Sequence, residues 1–250
     1  MELTGGRVFV TDCRSPAARS AAERLARDGF AVVVNGIYGG EDEGCAVEGC
    51  ERARVSLTDR KGLTELLESW GEGLRGVIHP SPEPMHTAIE DSREGQWEAA
   101  YSEGALASLM VTGAAGEAMA RLGRGALIYL GSMHAEKPMG GGFLYSMACG
   151  ATQMLCREAA LDYGARGVNC VYVRLGPTEG DERNDNAYSN QYKGIEYRYP
   201  TRKVPDPDEF GGLISFLMTD GARPLNGSDV NAEGGYTLFY GIKREARRDG

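Results

Sequence analysis

The stretch Gly125 to Cys149 reads G-A-L-I-Y-L-G-S-M-H-A-E-K-P-M-G-G-G-F-L-Y-S-M-A-C, and its two halves carry different patterns. Gly125 to Leu130 is a near-continuous apolar run, as expected of a strand buried on both faces of a parallel sheet. The glycines at 140 to 142 then break the chain, and Phe143 to Cys149 opens an Ala/Met/Leu-rich helical segment. In a doubly wound α/β fold, ligands bind in the crevice beyond the carboxyl ends of the strands. This stretch delivers two hydroxyls there: Ser132 at the end of the strand and Tyr145, 13 positions later (145 − 132), at the start of the helix.

The flanking sequence continues the pattern. Arg7 to Thr11 (R-V-F-V-T) predicts a strand, Ser15 to Asp28 an alanine-rich amphipathic helix, and Ala31 to Asn35 (A-V-V-V-N) a second strand. Such a unit is parallel and right-handed. Glu51 to Leu57 predicts a weak strand, Asp59 to Trp70 a helix, and Leu74 to Ile78 a further strand. Gln96 to Arg121 predicts one long helix, with Trp97, Tyr101, Leu106, Leu109, Met110, Ala114 and Ala118 at helical spacing. Asn169 to Leu175 is the sixth strand. The fold expected is a Rossmann-like doubly wound parallel sheet flanked by helices, one domain over residues 1–250. Residues 178–201 form a polar lid loop holding Tyr188, Tyr192, Tyr197 and Tyr199, and 237–250 a tail. A chain of 250 residues suits one such domain.

A net charge of −9 and a pI near 5.0 argue against nucleic acid and against an anionic membrane surface. The basic run Lys243 to Arg248 is too short to reverse that balance. No apolar run reaches the roughly 18 residues of a membrane span, and the first strand begins too near Met1 for a secretory leader, so a cytoplasmic location is expected. Six scattered cysteines, among them Cys13 and Cys45, then read as free thiols. No spacing of His or Cys predicts a metal site.

The Ser132/Tyr145 pair resembles that of the short-chain dehydrogenase/reductase superfamily. So do R-K-V-P-D-P-D-E-F-G-G-L-I-S-F-L-M-T-D (Arg202 to Asp220) and L-N-G-S-D-V-N-A-E-G-G-Y (Leu225 to Tyr236). That resemblance implies catalysis by Ser132 and Tyr145 with a lysine four residues on, a position held by Cys149. The family's helix asparagine falls on Gly104. Its glycine turn, T-G-x-x-x-G-x-G, falls on Thr11 to Ala18, with Asp12, Pro16 and Ala18 at the glycine positions. The acid that holds the adenosine ribose falls on Gly36, with Glu41 or Asp42 as substitutes, and the adenine-side aspartate falls on Ser56. N-N-A-G is replaced by H-P-S-P (His79 to Pro82), where His79 reads as a loop residue filling the vacated site, while Gly176 and Pro177 are retained.

Each change costs a dinucleotide something: Asp12 brings negative charge, Pro16 removes an N–H donor, and Ala18 adds a methyl group at a close approach. Without a cation, a phenol with a reference pKa of about 10 is a poor base. The expectation is therefore a non-catalytic subunit that binds no cofactor. It would assemble into a heterotetramer with a homologous catalytic subunit carrying NAD. The losses are similar to those in the heteromeric hydroxyacyl-CoA dehydrogenases of anaerobic toluene and benzylsuccinate degradation, which implies a CoA-type substrate for the complex. Two alternatives stand beside this reading: a cofactor-independent lyase, isomerase or cyclase using Ser132 and Tyr145, and a divergent NAD(P)-dependent oxidoreductase. Cys149 as nucleophile, His134 as a pocket residue and Lys137 as a displaced cation are lesser candidates.

Overall fold

Valine-rich runs form the first strands because branched side chains suit a pleated surface buried on both faces. β1 spans Arg7–Val10 and β2 spans Ala31–Asn35. Between them α1, Pro16–Arg27, buries its alanines and Leu25. A computed structural model describes residues 5–38, 41–42, 46–138, 140–180 and 195–238. Cys45, Tyr188, Tyr192 and the basic run 243–248 lie outside the described residues, as do the side chains of Glu41 and Asp42.

A short antiparallel pair, β3 (Ile37–Tyr38) and β4 (Glu41–Asp42), follows β2. Next come β5 (Glu51–Ala53), α2 (Arg60–Glu68) and β6 (Leu74–Pro80). Then α3 (Glu94–Ala100) leads through a π-helical turn at Tyr101–Leu106 into α4 (Ala107–Leu122). The rest comprises β7 (Gly125–Ser132), α5 (Phe143–Gly164), β8 (Val168–Leu175), α6 (Pro207–Leu217) and β9 (Asp229–Ala232). Seven strands pair in parallel in the order β5-β2-β1-β6-β7-β8-β9. Helices α1 and α6 cover one face, and α2, α4 and α5 the other. Residues of β7 alternate between the two cores: Ile128 and Leu130 join the first, Leu127 and Tyr129 the second. The doubly wound fold expected from the sequence is thus observed.

Besides the β3–β4 pair, which falls where the sequence predicts a glycine-rich loop, three elements differ from the sequence reading. The strand predicted at 51–57 is confined to Glu51–Ala53, because the Val55 N–H donates to the Asn35 side chain (3.1 Å) instead of to a ladder. β6 runs on through His79 and Pro80, which lie opposite Tyr129 and Leu130, so His79 is a strand residue. The single helix predicted over 96–121 is divided by the π-helical turn. The strand order reverses between β1 and β6, and the crevice at their carboxyl ends is the place where such sheets bind ligands.

Candidate active site

The turn from β1 into α1 holds itself with side chains rather than glycines. Buried Asp12 accepts the Arg14 N–H (2.8 Å) and grips the Arg14 guanidinium through Nη2 (2.9 Å) and Nε (3.2 Å). Ser15 caps α1 by accepting the Ala18 N–H (3.1 Å), and Pro16 sits at the first helical position, where no intrahelical donor is needed. Ala18 is fully buried in the core beneath the sheet. The negative charge expected from Asp12 is therefore compensated, by a guanidinium that also reaches Glu83 Oε1 (3.4 Å).

Beyond this turn lies a cavity of about 500 Å³ lined by Asp12, Arg14, Ile37, Thr58 and His79, among others. Ser56 lies on its wall, its hydroxyl 3.0 Å from that of Thr58. At Gly36, the position implied for the ribose acid, the Arg52 guanidinium lies against the backbone and donates to the Gly36 carbonyl (3.4 Å). A Cβ at residue 36 would collide with it. A cation thus stands where the family resemblance implies an anion.

His79 forms the floor of the cavity. Its Nδ1 lies 2.7 Å from Thr11 Oγ1 and its Nε2 2.9 Å from Ser108 Oγ, which in turn bonds the Gly104 carbonyl (2.7 Å) and Thr152 Oγ1 (3.0 Å). Burial pushes its pKa down to about 4 against the opposing pull of Asp12, so the ring is neutral near pH 7. It ties β1 and β6 to α4 and, through Ser108, to α5.

Ser132 and Tyr145 meet in a narrow slot of about 50 Å³ that Gly176, Pro177 and Thr178 close from above. Ser132 is fixed by Tyr172, whose hydroxyl accepts the Ser132 N–H (3.0 Å) and lies 3.3 Å from its carbonyl. The loop after β7 is fastened by ion pairing of Glu136 with Arg174 and by a bond from Gln153 (3.1 Å). This fastening places His134 in the slot, its ring edge-on to Tyr145 with centroids 6.0 Å apart. His134 Nδ1 faces the Lys137 carbonyl at 2.8 Å; a carbonyl can only accept, so Nδ1 carries the proton and Nε2 the lone pair. Burial also pushes the His134 pKa down.

Cys149 is fully buried, its Sγ 3.8 Å from Ser81 Oγ, and burial pushes the thiol up to about 12. It is therefore neither a cation nor a nucleophile at neutral pH. Lys137 is exposed and its carbonyl, not its ammonium, serves the site. Gly104 faces α5 so closely that an added Cβ would lie 2.6 Å from Ala148 Cβ, leaving no room for asparagine. The sequence reading overlooked Arg14 and Arg52. The available signals were a basic residue two places after Asp12, and the β2–β5 register, which pairs Asn35 with Ala53 and so brings Arg52 beside Gly36.

Cys50, Cys149, Cys156 and Cys170 are free thiols, as expected, whereas Cys13 is disulfide-bonded. In the 178–201 loop, Tyr199 belongs to the core: it is fully buried and donates to the Pro177 carbonyl (2.6 Å). Among the described residues there is no cluster of His, Cys, Asp or Glu able to hold a metal, and no helix long and apolar enough to cross a membrane.

The family model described as Enoyl-(Acyl carrier protein) reductase matches residues 13–237. An uncharacterised oxidoreductase of Methylorubrum extorquens is 27% identical over 94% of this chain and 98% of its own. The 2-keto-3-deoxy-L-fuconate dehydrogenase of Xanthomonas campestris pv. campestris is 24% identical over 94% of this chain and 81% of its own. Among solved structures, a gluconate 5-dehydrogenase from Burkholderia cenocepacia J2315 in complex with NADP and tartrate superposes with a TM-score of 0.83. It is 18% identical and covers 96% of this chain and 98% of its own. These findings overturn the expectation of a non-catalytic subunit with no nicotinamide nucleotide of its own, because the relatives are dehydrogenases and reductases and the solved neighbour holds NADP. The Asp12–Arg14 pair supplies a physical reason: the charge that Asp12 brings to the turn is neutralised within it. The relatives named here carry no sign of toluene degradation or of a CoA substrate. With the family model spanning residues 13–237 and the parallel sheet, hydroxyl pair and glycine-proline wall in place, the chain belongs to the short-chain dehydrogenase/reductase superfamily.

Proposed function

We propose that this chain is an oxidoreductase that binds NAD(P) itself, with NADP favoured, and interconverts a hydroxyl and a carbonyl group. The observation that carries the reading is the slot shared by Ser132 and Tyr145, set at the strand ends beside the 500 Å³ cavity. The residues present fit the cofactor in a rebuilt form. Arg14 would meet the phosphates, Ser56 and Thr58 the adenosine, Arg52 a 2′-phosphate, and Gly176 to Thr178 the nicotinamide end. When bound, the nicotinamide would supply or accept the hydride.

The chain's own residues do the rest. The Ser132 hydroxyl donates a hydrogen bond to the substrate oxygen, and the Tyr145 hydroxyl gives or takes the proton there. The His134 ring packs edge-on against Tyr145, a polar neighbour in a site where Cys149 brings no charge. Likeness to enzymes named for fuconate and gluconate derivatives makes polyhydroxy acids the first substrates to screen.

Calorimetry on the isolated chain tests the reading. NADP should bind about tenfold or more tightly than NAD, as one charge-assisted phosphate contact implies. Arg52→Gln should abolish that preference, and Arg14→Gln should weaken both nucleotides. Absence of binding by either nucleotide would sink the proposal.

A further inference from the structure

The amino-terminal ends of β6, β7 and β8, at the opposite edge of the sheet from the slot, line an open cleft of about 900 Å³. Although the chain has a net charge of −9, four arginines line this cleft, Arg75, Arg124, Arg166 and Arg223, against one lining acid among the described residues, Asp220. Arg223 pairs with Asp220 (3.0 Å), Arg166 with Glu117 (3.2 Å), and Arg124 with Glu72 (2.6 Å). Arg75 bonds only backbone carbonyls among the described residues, those of Glu72 (2.7 Å) and Leu74 (3.1 Å). Burial, and then the nearness of Arg124, push its pKa below the ordinary value. The two guanidiniums meet at the Glu72 carbonyl, which also accepts from Arg124 (2.8 Å), and only Arg124 reaches the Glu72 carboxylate.

Helix ends explain part of this arrangement. Arg124 and Arg166 follow the carboxyl ends of α4 and α5, where cations are stabilised by the helix dipole. That account does not reach Arg75, at the start of a strand, or Asn169, which lines the same cleft and is only 8% exposed. The Asn169 amide donates to the Ala222 carbonyl (3.2 Å), and its Oδ1 is buried without a hydrogen-bond partner among the described residues. The buried Nε of Arg124 is a second orphan, a donor. Buried polar atoms normally have partners. A ligand that satisfied both would carry an anion at one end and a hydroxyl donor at the other. Paired guanidiniums match the oxygens of a phosphate, and the volume is that of a small-molecule site.

We propose that this cleft is a second binding site, for a small phosphorylated sugar or polyol. The phosphate lies against Arg75 and Arg124, displacing the Glu72 carboxylate from Arg124, and a ligand hydroxyl donates to Asn169 Oδ1. The site is independent of the nucleotide cavity at the other end of the strands.

Isothermal titration of the full chain with ribose 5-phosphate, ribose and inorganic pyrophosphate tests it. Ribose 5-phosphate should bind saturably and ribose should not. Arg75→Gln and Arg124→Gln should each weaken binding by about tenfold or more, the loss of one charge-assisted contact. Asn169→Ala should weaken ribose 5-phosphate while leaving pyrophosphate unchanged, and Arg14→Gln, in the nucleotide cavity, should change neither. Circular dichroism melts of each variant confirm folding, and Arg124, whose side chain is 41% exposed, is the substitution the fold should best tolerate. The proposal fails if no saturable binding occurs up to about 10 mM, if neither arginine variant alters it, or if Arg14→Gln removes it.

Discussion

A lysine four residues after Tyr145 would place an ammonium where the structure buries Cys149 completely, and a neutral thiol with a pKa of about 12 presents no charge to the tyrosine. Its inertness can be checked with iodoacetamide at pH 8 followed by mass spectrometry: the partly exposed Cys50 should be alkylated well before Cys149 in the native protein. Prompt loss of Cys149 would contradict the packing described. His79 makes an opposite kind of claim, about pH. Its folded-state pKa of about 4 lies below its ordinary 6.5, so between these values the unfolded chain binds the extra proton. Stability should therefore be lost as pH falls from 6.5 toward 4, by about 3 kcal/mol from this group alone. Thermal melts across that window should show the loss, and His79→Asn should flatten it. Both behaviours follow from burial among residues distant in the sequence, which the run H-P-S-P does not reveal.

At the level of elements, the helix pair α4 and α5 is set by a glycine. Gly104 lies in the π-helical turn, and its missing side chain lets that turn approach Ala148, from which an added Cβ would stand 2.6 Å away. Gly104→Ala should destabilise the fold by about 1–3 kcal/mol, the usual cost of overpacking. Adding Ala148→Gly should restore most of it, because the clash is pairwise; denaturant melts of the single and double variants measure the coupling. The apolar spacing from Trp97 to Ala118 correctly announced a helix there. It did not announce the interruption, and the stripe it read is not one buried face: Trp97, Tyr101 and Leu109 are exposed, whereas Ala114 and Ala118 are buried.

The whole molecule exposes several large apolar side chains on its helical face: Trp97 and Tyr101 on α3 and the turn after it, Leu109 on α4, and Met154 and Leu161 on α5. Leu161 is 78% exposed. We propose that these helices pack against a homologous subunit, since large apolar surfaces tend to mark interfaces. Analytical ultracentrifugation should show an assembly larger than one chain of 26.9 kDa, and Leu161→Glu should shift it toward the monomer. A monodisperse monomer of the unaltered chain would refute this.

The alternation of the main strands and helices, the placing of Ser132 and Tyr145 at the carboxyl ends of the sheet, and the absence of a lysine at position 149 were legible in the linear chain; the β3–β4 pair and the π-helical turn were not. The legible features rest on hydrophobic periodicity and on spacing within single elements, which tertiary contacts do not alter. The meaning of the substituted turn was not legible. Asp12 alone suggests repulsion of a diphosphate, and only the fold shows it clasped by Arg14, just as only the fold lays Arg52 over Gly36 and bolts His79 to Thr11 and Ser108. Compensation of charge and closure of a cavity depend on side chains whose partners lie in other elements, at distances set by the packing of the sheet and its helices.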